Sequence, residues 1–360
     1  MKIIIASMHK GDLQMKQGTN GQAAGSKGYS AHKSRLLMGL MLALILVLTA
    51  CGAGAGTDSG KQSAATPSDA PASTETKTDG AFPVTIKGMM GDITLNEKPK
   101  KVAVLDVKFL DQMLAVGEKP AGSVIAGGNT DFPEYLGDQA NGVEVLGTRD
   151  EPNLEAIVAL DPDLIIMTDF QEKHYESVSK IAPILVLDFY EDWRDTLATV
   201  AKITGKQDEA EKVRTAYEEK VAGMKTKLAE KLGDETVALI RPRKEGIRVH
   251  GIEHRTGGIL YNDLGLKMPA LVEGIKDDTS VEVSMEEVPE IGADRYFVLS
   301  DELFAVEAEA MVNNPVWKSL DAVKNNRTYD VNSTLWIAYY GPLAINLIVD
   351  QASEALLGSN

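Results

Sequence analysis

Three short apolar runs set the limits on what this chain can fold into: KVAVLD (residues 101–106), DLIIMTD (163–169) and ILVLDF (184–189). None alternates apolar with polar residues, so none reads as a strand with one face in water. Continuous runs of this length are strands buried on both faces, which calls for a parallel sheet covered by helices. The segments between them fit. Val107 to Val116 reads as a short helix stopped by Gly117, and Pro120-Ala-Gly-Ser-Val-Ile opens another strand. EVLG (144–147) precedes a helix, NLEAIVAL (153–160), with Asn153 as its cap and Pro162 closing it. HYESVSKIAP leads into the last strand. Upstream, FPVTIKGMMGDITLNEKPK reads as a hairpin around the Gly88 to Gly91 turn, ended by Pro99. The whole is an α/β lobe.

Glu191 to Leu232 then has helical periodicity with one break around Gly205, and Trp193, Leu197, Val200 and Ile203 share a stripe. Lys206 to Leu232 runs without proline, and Gly223 is its sole glycine. The Glu209–Lys212 and Glu218–Lys220 spacings suit a solvated face. Such a helix lies across its own domains or serves as a coiled-coil partner, and the first reading is preferred. Beyond it the alternation restarts. TVALIRPR (236–243) is a strand with GIRVHG (246–251) as its hairpin partner, and GGILYNDLG (257–265) is a helix. EVSMEEVPEI (282–291) joins a strand end to a helix start, and DRYFVLS (294–300) is a core strand. A turn or small helix covers 314–320, RTYDVN (327–332) is a strand, and 341–357 is a closing helix. The expected fold class is α/β, with two α/β lobes joined by a long helix and a cleft between them.

Leu36 to Cys51, LLMGLMLALILVLTAC, follows Lys33 and Arg35 and has the basic flank and apolar core of a secretory signal. Leu48-Thr49-Ala50-Cys51 resembles the bacterial lipobox, which implies cleavage before Cys51 and diacylglycerol on its thiol. The alternative is an uncleaved membrane helix. The apolar run of about fifteen residues is short of the roughly 20 that span a bilayer. Cys51 is the only cysteine, so no internal disulfide competes for it. Met1 to Ser30, polar and Gly-rich, reads as an extended leader or an upstream start. Gly52 to Gly80 holds almost nothing to bury and reads as a flexible stalk. The expected organisation is 1–50 signal peptide, 51–80 lipidated stalk, 81–190 first lobe, 191–233 connecting helices and 234–360 second lobe. The expected location is the extracytoplasmic face of the cell membrane, held by lipid.

The formal charge is −16. The first fifty residues carry five Lys, one Arg and one Asp, so the remainder is more acidic still, near −21. Nucleic acid would be repelled, and no basic stripe offsets this. No phosphate-binding glycine loop, H-E-x-x-H pair or Gly-x-Ser-x-Gly elbow occurs. His250 and His254 have i,i+4 spacing, but Gly251 and Thr256-Gly257-Gly258 argue against a helix that would align them on zinc. An enzyme is not expected.

Lipobox, stalk, lobe, spanning helix and second lobe together resemble the periplasmic-type binding proteins for ferric siderophores and cobalamin. KPKKVAVLD with the Gly117-Glu-Lys-Pro120 turn, GTRDEPNLEAIVALDPDLII (147–166) and NNPVWKSLDAVKNNRTYDVN (313–332) carry the resemblance. It covers about Phe82 to Leu357. It implies the class III, helical-backbone architecture with little lobe movement, and a monomer whose lobes each dock one half of an ABC permease dimer. Matched residue to residue, the docking glutamates are Glu155 in NLEAI and Glu286 in VSMEEV, with Glu287 taking the second role if the match slips by one.

A ferric siderophore is large, partly apolar and often anionic, and calls for Arg forks and aromatic faces. Arg241 and Arg243 alternate along one strand and so share a face, and Arg248 on the hairpin partner joins them. The bland alternative pairs them with Glu245 or Glu253. Arg149 lies at the carboxyl end of a strand, where open α/β sheets bind ligands. Phe170, Lys173, His174 and Tyr175 follow another strand end. Trp336, Tyr339 and Tyr340 are placed in a loop after Asn332, with Trp336 as an aromatic wall. RPRKEGIRVHG and STLWIAYYG resemble members that bind ferric hydroxamates, including citrate-based hydroxamate–carboxylate siderophores; catecholate and ferric citrate cargoes stay open, and cobalamin, which favours aromatic sandwiching over three arginines, fits less well. The resemblance implies iron wrapped by its siderophore, no direct protein ligand to metal, and no cofactor beyond the lipid on Cys51. The competing readings are a zinc or manganese receptor, and a lipid-anchored esterase whose nucleophile and base are not found.

Overall fold

The computed structural model describes residues 82–276 and 278–358. The signal segment, Cys51 and the stalk lie outside the described residues. β1 (Val84–Ile86) and β2 (Ile93–Leu95) pair antiparallel as the expected hairpin. The apolar runs then become strands without an exposed face. β3 (Val102–Val104), β4 (Gly122–Ile125), β5 (Glu144–Thr148), β6 (Leu164–Thr168) and β7 (Ile184–Leu187) form a parallel sheet in the order β5-β4-β3-β6-β7. β3, β4 and β6 are buried at every residue. The chain spreads from β3 to one edge and then from β6 to the other. The crevice where the order reverses therefore opens at the carboxyl ends of β3 and β6, where such sheets take ligands.

Side chains of the right chemistry set the helix ends. Asp106 caps α1 (Val107–Ala115) by accepting from the Lys108 N–H. Asn153 caps α2 (Leu154–Leu160) by accepting from the Glu155 and Ala156 N–H groups, both at 3.1 Å. A seven-residue 3-10 stretch, Glu134–Ala140, was not anticipated. After the short α3 (Tyr175–Val178) come α4 (Trp193–Thr204) and the 26-residue α5 (Gln207–Leu232). Gly205, at φ 70°, supplies the left-handed residue that ends α4. The pairs on α5 differ from those expected. Arg214 binds Glu211 and Glu218, Lys206 binds Glu209, and Lys220 reaches Asp350. Residues 218 and 220 are two apart and do not share a helix face.

The second sheet contains β8 (Val237–Arg243), β9 (Gly246–His250), β10 (Ser280–Ser284), β11 (Arg295–Ser300) and β12 (Thr328–Asn332), in the order β10-β9-β8-β11-β12. β8, β11 and β12 run parallel, and β9 runs antiparallel between β8 and β10. The expected Gly257–Gly265 helix begins two residues early, as α6 (Arg255–Gly258), and continues as a π turn, Ile259–Asp263. α7 (Ala270–Glu273), α8 (Ala305–Asn313), α9 (Pro315–Ser319) and α10 (Asp321–Lys324) follow, of which α9 alone was expected. The loop expected after Asn332 is instead a helix, α11 (Ser333–Ile337), because the Asn332 side chain accepts from the Leu335 N–H and caps it.

The closing helix α12 (Pro342–Leu357) packs on α5 and α1, and so returns to the first lobe. Asp111 of α1 meets its N-terminus. Its carboxylate accepts from the N–H of Leu343 (2.8 Å), the N–H of Ala344 (2.9 Å) and the hydroxyl of Tyr135 (2.8 Å). A Cβ on Gly341 would stand 2.1 Å from an Asp111 oxygen, so only glycine fits there. Burial pushes the Asp111 carboxyl up to about 6, although all three hydrogen bonds pull it down. A second tie crosses at the connector: Arg194 and the Tyr217 hydroxyl both donate to Asp263, at 3.0 and 2.6 Å. These ties fix the α4–α5 connector and the closing helix to both lobes.

Candidate ligand-binding cleft

Loops at the carboxyl ends of both sheets face each other. Arg149 follows β5, and its guanidinium lies 4.9 Å from the ring of Phe170 and 5.6 Å from that of Phe189. Phe170 stacks on Phe189 at 5.2 Å, and the Asp169 carboxylate holds the Phe189 N–H at 2.8 Å. From the second lobe, Arg255 lies 4.4 Å from Phe189 and 3.6 Å from Tyr340. Cation and ring therefore alternate in a column that crosses between the lobes. Arg241, near the end of β8, lies 5.3 Å from the ring of Phe304.

Charge distinguishes this place from the rest of the surface. Among the described residues, Arg149, Arg241 and Arg255 form no ion pair, although the chain is strongly acidic. The Nε atoms of Arg149 and Arg241 are buried without a hydrogen-bond partner. Burial pulls the Arg241 guanidinium down to about 10, with Arg248 and Arg243 adding to the fall. Burial likewise lowers Arg255. Unpaired, partly desolvated cations cost several kcal/mol each, so an anion arriving among them gains what the resting protein lacks. Lys108 is different. It is buried, but its ammonium donates to the carbonyls of Asp188 (2.9 Å) and Phe189 (3.3 Å), and so it braces the β7 loop.

Residues of both lobes line two cavities here. One, of about 220 Å³, is lined by Lys108, Tyr190, Trp193, His254, Arg255 and Tyr340, together with the carboxylates Glu191, Asp192, Glu253 and Asp263. The other, of about 320 Å³, lies between Gly127, Arg149, Phe304, Thr334 and Ile337.

The structure brings some of the sequence-derived residues together and separates others. Arg149, Phe170 and Arg241 face the cleft. Arg241 stands opposite Arg248 in the strand register, but Arg248 and Arg243 turn to Glu282, at 2.6 and 3.7 Å, and not to Glu245 or Glu253. Lys173 pairs with Glu151 at 2.8 Å on the exposed rim, and Tyr175 packs half-buried against the first-lobe core. Trp336 is fully buried and forms no wall. Its Nε1–H donates to Gln351 (2.7 Å) and its ring lies 5.0 Å from Phe297, so α12 and β11 hold it in the core. Tyr339 is also fully buried, at the lobe seam. Its hydroxyl accepts from the Ala126 N–H (3.4 Å), and its ring meets Tyr135 edge-on at 5.9 Å. His250 and His254 do come together, with ring centroids 4.1 Å apart, because a tight turn does what a helix would have done. Sequence reasoning passed over Arg255, Phe189 and Phe304. Phe189 and Phe304 each follow the carboxyl end of a parallel strand, a position that could have flagged them. Arg255 hides in HRTGG, which reads as a turn.

Glu155 is exposed in the first turn of α2, and Glu286 is exposed in the turn after β10. The neighbouring Glu287 is engaged, accepting from the Ser284 hydroxyl (2.7 Å) and N–H (3.2 Å).

Comparison with known proteins decides the family, since the profile described as periplasmic binding protein matches residues 102–335. The chain belongs to the periplasmic binding protein family. This periplasmic binding protein is 30% identical over 286 residues to the probable siderophore-binding lipoprotein YfiY of Bacillus subtilis, covering 76% of this chain and 87% of the relative. It is 31% identical over 257 residues to the Fe(3+)-citrate-binding protein YfmC of the same organism, covering 70% and 79%. Among solved structures, Staphylococcus aureus SirA complexed with staphyloferrin B matches with a TM-score of 0.68 at 30% identity, covering 76% of this chain and 98% of SirA. The two-lobe α/β architecture is therefore that of a known receptor fold.

Proposed function

We propose that this chain is the extracytoplasmic receptor of an ABC importer and that its cargo is a ferric siderophore of the hydroxamate or citrate-hydroxamate class. The observation that carries the reading is the column of Arg149, Phe189, Arg255 and Tyr340 with Arg241 beside it: guanidinium groups that form no ion pair among the described residues, interleaved with aromatic faces. Within that class the charges favour a carboxylate-bearing complex over a neutral one. The relatives named for siderophore and ferric citrate binding support the same choice. The siderophore wraps the iron. The protein contributes cations and rings, and catalyses nothing.

Delivery follows from the rest of the chain. Lipid on Cys51 tethers the body to the outer face of the membrane. As a monomer, it presents Glu155 on one lobe and Glu286 on the other to basic residues of a two-fold permease. Glu286 is the better candidate for the second lobe because Glu287 is already bound to Ser284.

The test is a fluorescence titration of the purified chain, with Trp193 in the cavity lining as reporter. Ferric hydroxamate, citrate-hydroxamate, catecholate and citrate complexes are compared with Zn²⁺, Mn²⁺ and cobalamin. Submicromolar saturation by one ferric hydroxamate or citrate-hydroxamate complex, weakened about tenfold or more in Arg241→Ala and Arg255→Ala, is the expected result. A response to bare Zn²⁺ or Mn²⁺ alone would overturn it.

A further inference from the structure

The imidazole pair at the base of the cleft is left unexplained by the arginines. His250 is 3% exposed, and among the described residues both of its ring nitrogens are buried without a hydrogen-bond partner; Nδ1 of His254 is in the same state. Buried polar atoms are nearly always paired, so three open nitrogens at one spot need a reason. The backbone is built tightly to create the spot. The Gly251 N–H donates to the Thr279 carbonyl (2.9 Å) and the His254 N–H to the Gly251 carbonyl (3.2 Å). A Cβ on Gly257 would stand 2.0 Å from the Gly251 oxygen, and one on Gly251 would stand 2.9 Å from Ile275. His254 then lines the same cavity as Arg255 and Tyr340.

Resting on the reading of the cleft as a receptor for an anionic ferric complex, we propose that His254, backed by His250, is a specificity-determining contact that reads the cargo's carboxylate or hydroxyl oxygens and takes up a proton as they arrive. The groups facing the pair are Arg241 and Arg243 from β8, Arg248 from β9, Arg255 from α6 and Tyr340 after α11. The carboxylates are Glu282 of β10, engaged by Arg248 and Arg243, and, around the cavity that His254 lines, Glu191, Asp192, Glu253 and Asp263, of which Asp192 and Asp263 are paired with Arg194. Burial and these cations hold both rings neutral, His254 down at about 3 and His250 well below its ordinary value. A polyanion cancels the field of the arginines and offers an acceptor to an imidazolium N–H. The proton comes from solvent, and no bond other than that to the buffer is broken. Arginine alone accepts any anion; the imidazoles add a site that rewards acidic oxygens over neutral hydroxamate.

Calorimetry of the full chain at pH 6, in two buffers of different ionisation enthalpy, tests this with ferric citrate, a ferric citrate-hydroxamate and a neutral ferric trihydroxamate. The wild type takes up a fraction of a proton with the carboxylate-bearing complexes that His254→Gln does not. That variant binds them about tenfold more weakly, a loss much larger than the one it shows for the neutral complex. Equal proton counts and unchanged selectivity in His254→Gln would overturn the inference while leaving the receptor reading intact. Failure of all three complexes to bind the wild type would overturn both. Should the variant misfold, imidazole resonances of the wild type carry the test. They stay neutral to pH 5 in the free protein and shift toward the protonated form with gallium(III) citrate; ordinary titration in the free protein overturns the inference.

Discussion

Asp111 gathers three donors at a fully buried site, and the Trp336 ring N–H donates to a single acceptor, Gln351, in the core of the second lobe. Neither role is visible in the residue's neighbours along the chain. Asp111→Ala would orphan the Leu343 and Ala344 N–H groups and the Tyr135 hydroxyl. At about 1–3 kcal/mol for an unsatisfied buried group, softened by local relaxation, the expected loss is about 2–4 kcal/mol in denaturant titration. The pH dependence has a definite sign. With its pKa raised to about 6 in the folded state from 3.8, Asp111 binds more protons folded than unfolded between those values. Its contribution is full below pH 4 and is lost as pH rises through 6. Wild type minus Asp111→Ala, measured from pH 4 to 7, should show that decline. Trp336→Ala should cost about 3–5 kcal/mol of stability and leave cargo affinity within twofold in surviving protein. A selective loss of affinity would return Trp336 to the cleft. Arg149 was legible because it follows a strand end, and Arg241 because it alternates with Arg243 along β8. Trp336 was misread because its partner, Gln351, lies on another helix, and an aromatic after a strand serves core or wall equally well.

At the scale of elements, strands were the most legible part. The continuous apolar runs of β3, β6 and β7 leave no face for water, and the register of β8 on β9 follows from a two-residue turn. α8 escaped notice because AVEAEAMVN has no coherent apolar stripe, and Val306 and Val312 stay exposed. The connector was legible as a helix broken at Gly205, but its anchoring was not, since Asp263 lies in a π turn that periodicity does not signal. Asp263→Asn removes the charge shared by Arg194 and Tyr217. Hydrogen exchange should then speed up in the π turn and the first turn of α4, with the β3–β7 sheet unchanged. Uniform protection in both variants would show that the tie contributes nothing to holding the connector.

For the whole molecule, the chain carries a net charge of −16, yet among the described residues Arg149, Arg241 and Arg255 of the cleft form no ion pair. Reversing Glu155 and Glu286 to arginine should abolish iron uptake by cells and leave cargo affinity unchanged in solution. Loss of both together would mean that those acids support the fold. The central claim, that unpaired arginines between the lobes hold an anionic ferric complex, is tested most directly by one comparison. Titrate wild type, Arg149→Ala, Arg241→Ala and Arg255→Ala with a ferric citrate-hydroxamate and with a neutral ferric trihydroxamate, at low and high salt. The account predicts that each substitution and added salt weaken the anionic complex far more than the neutral one. Equal losses for both complexes, or no loss for either, would contradict it.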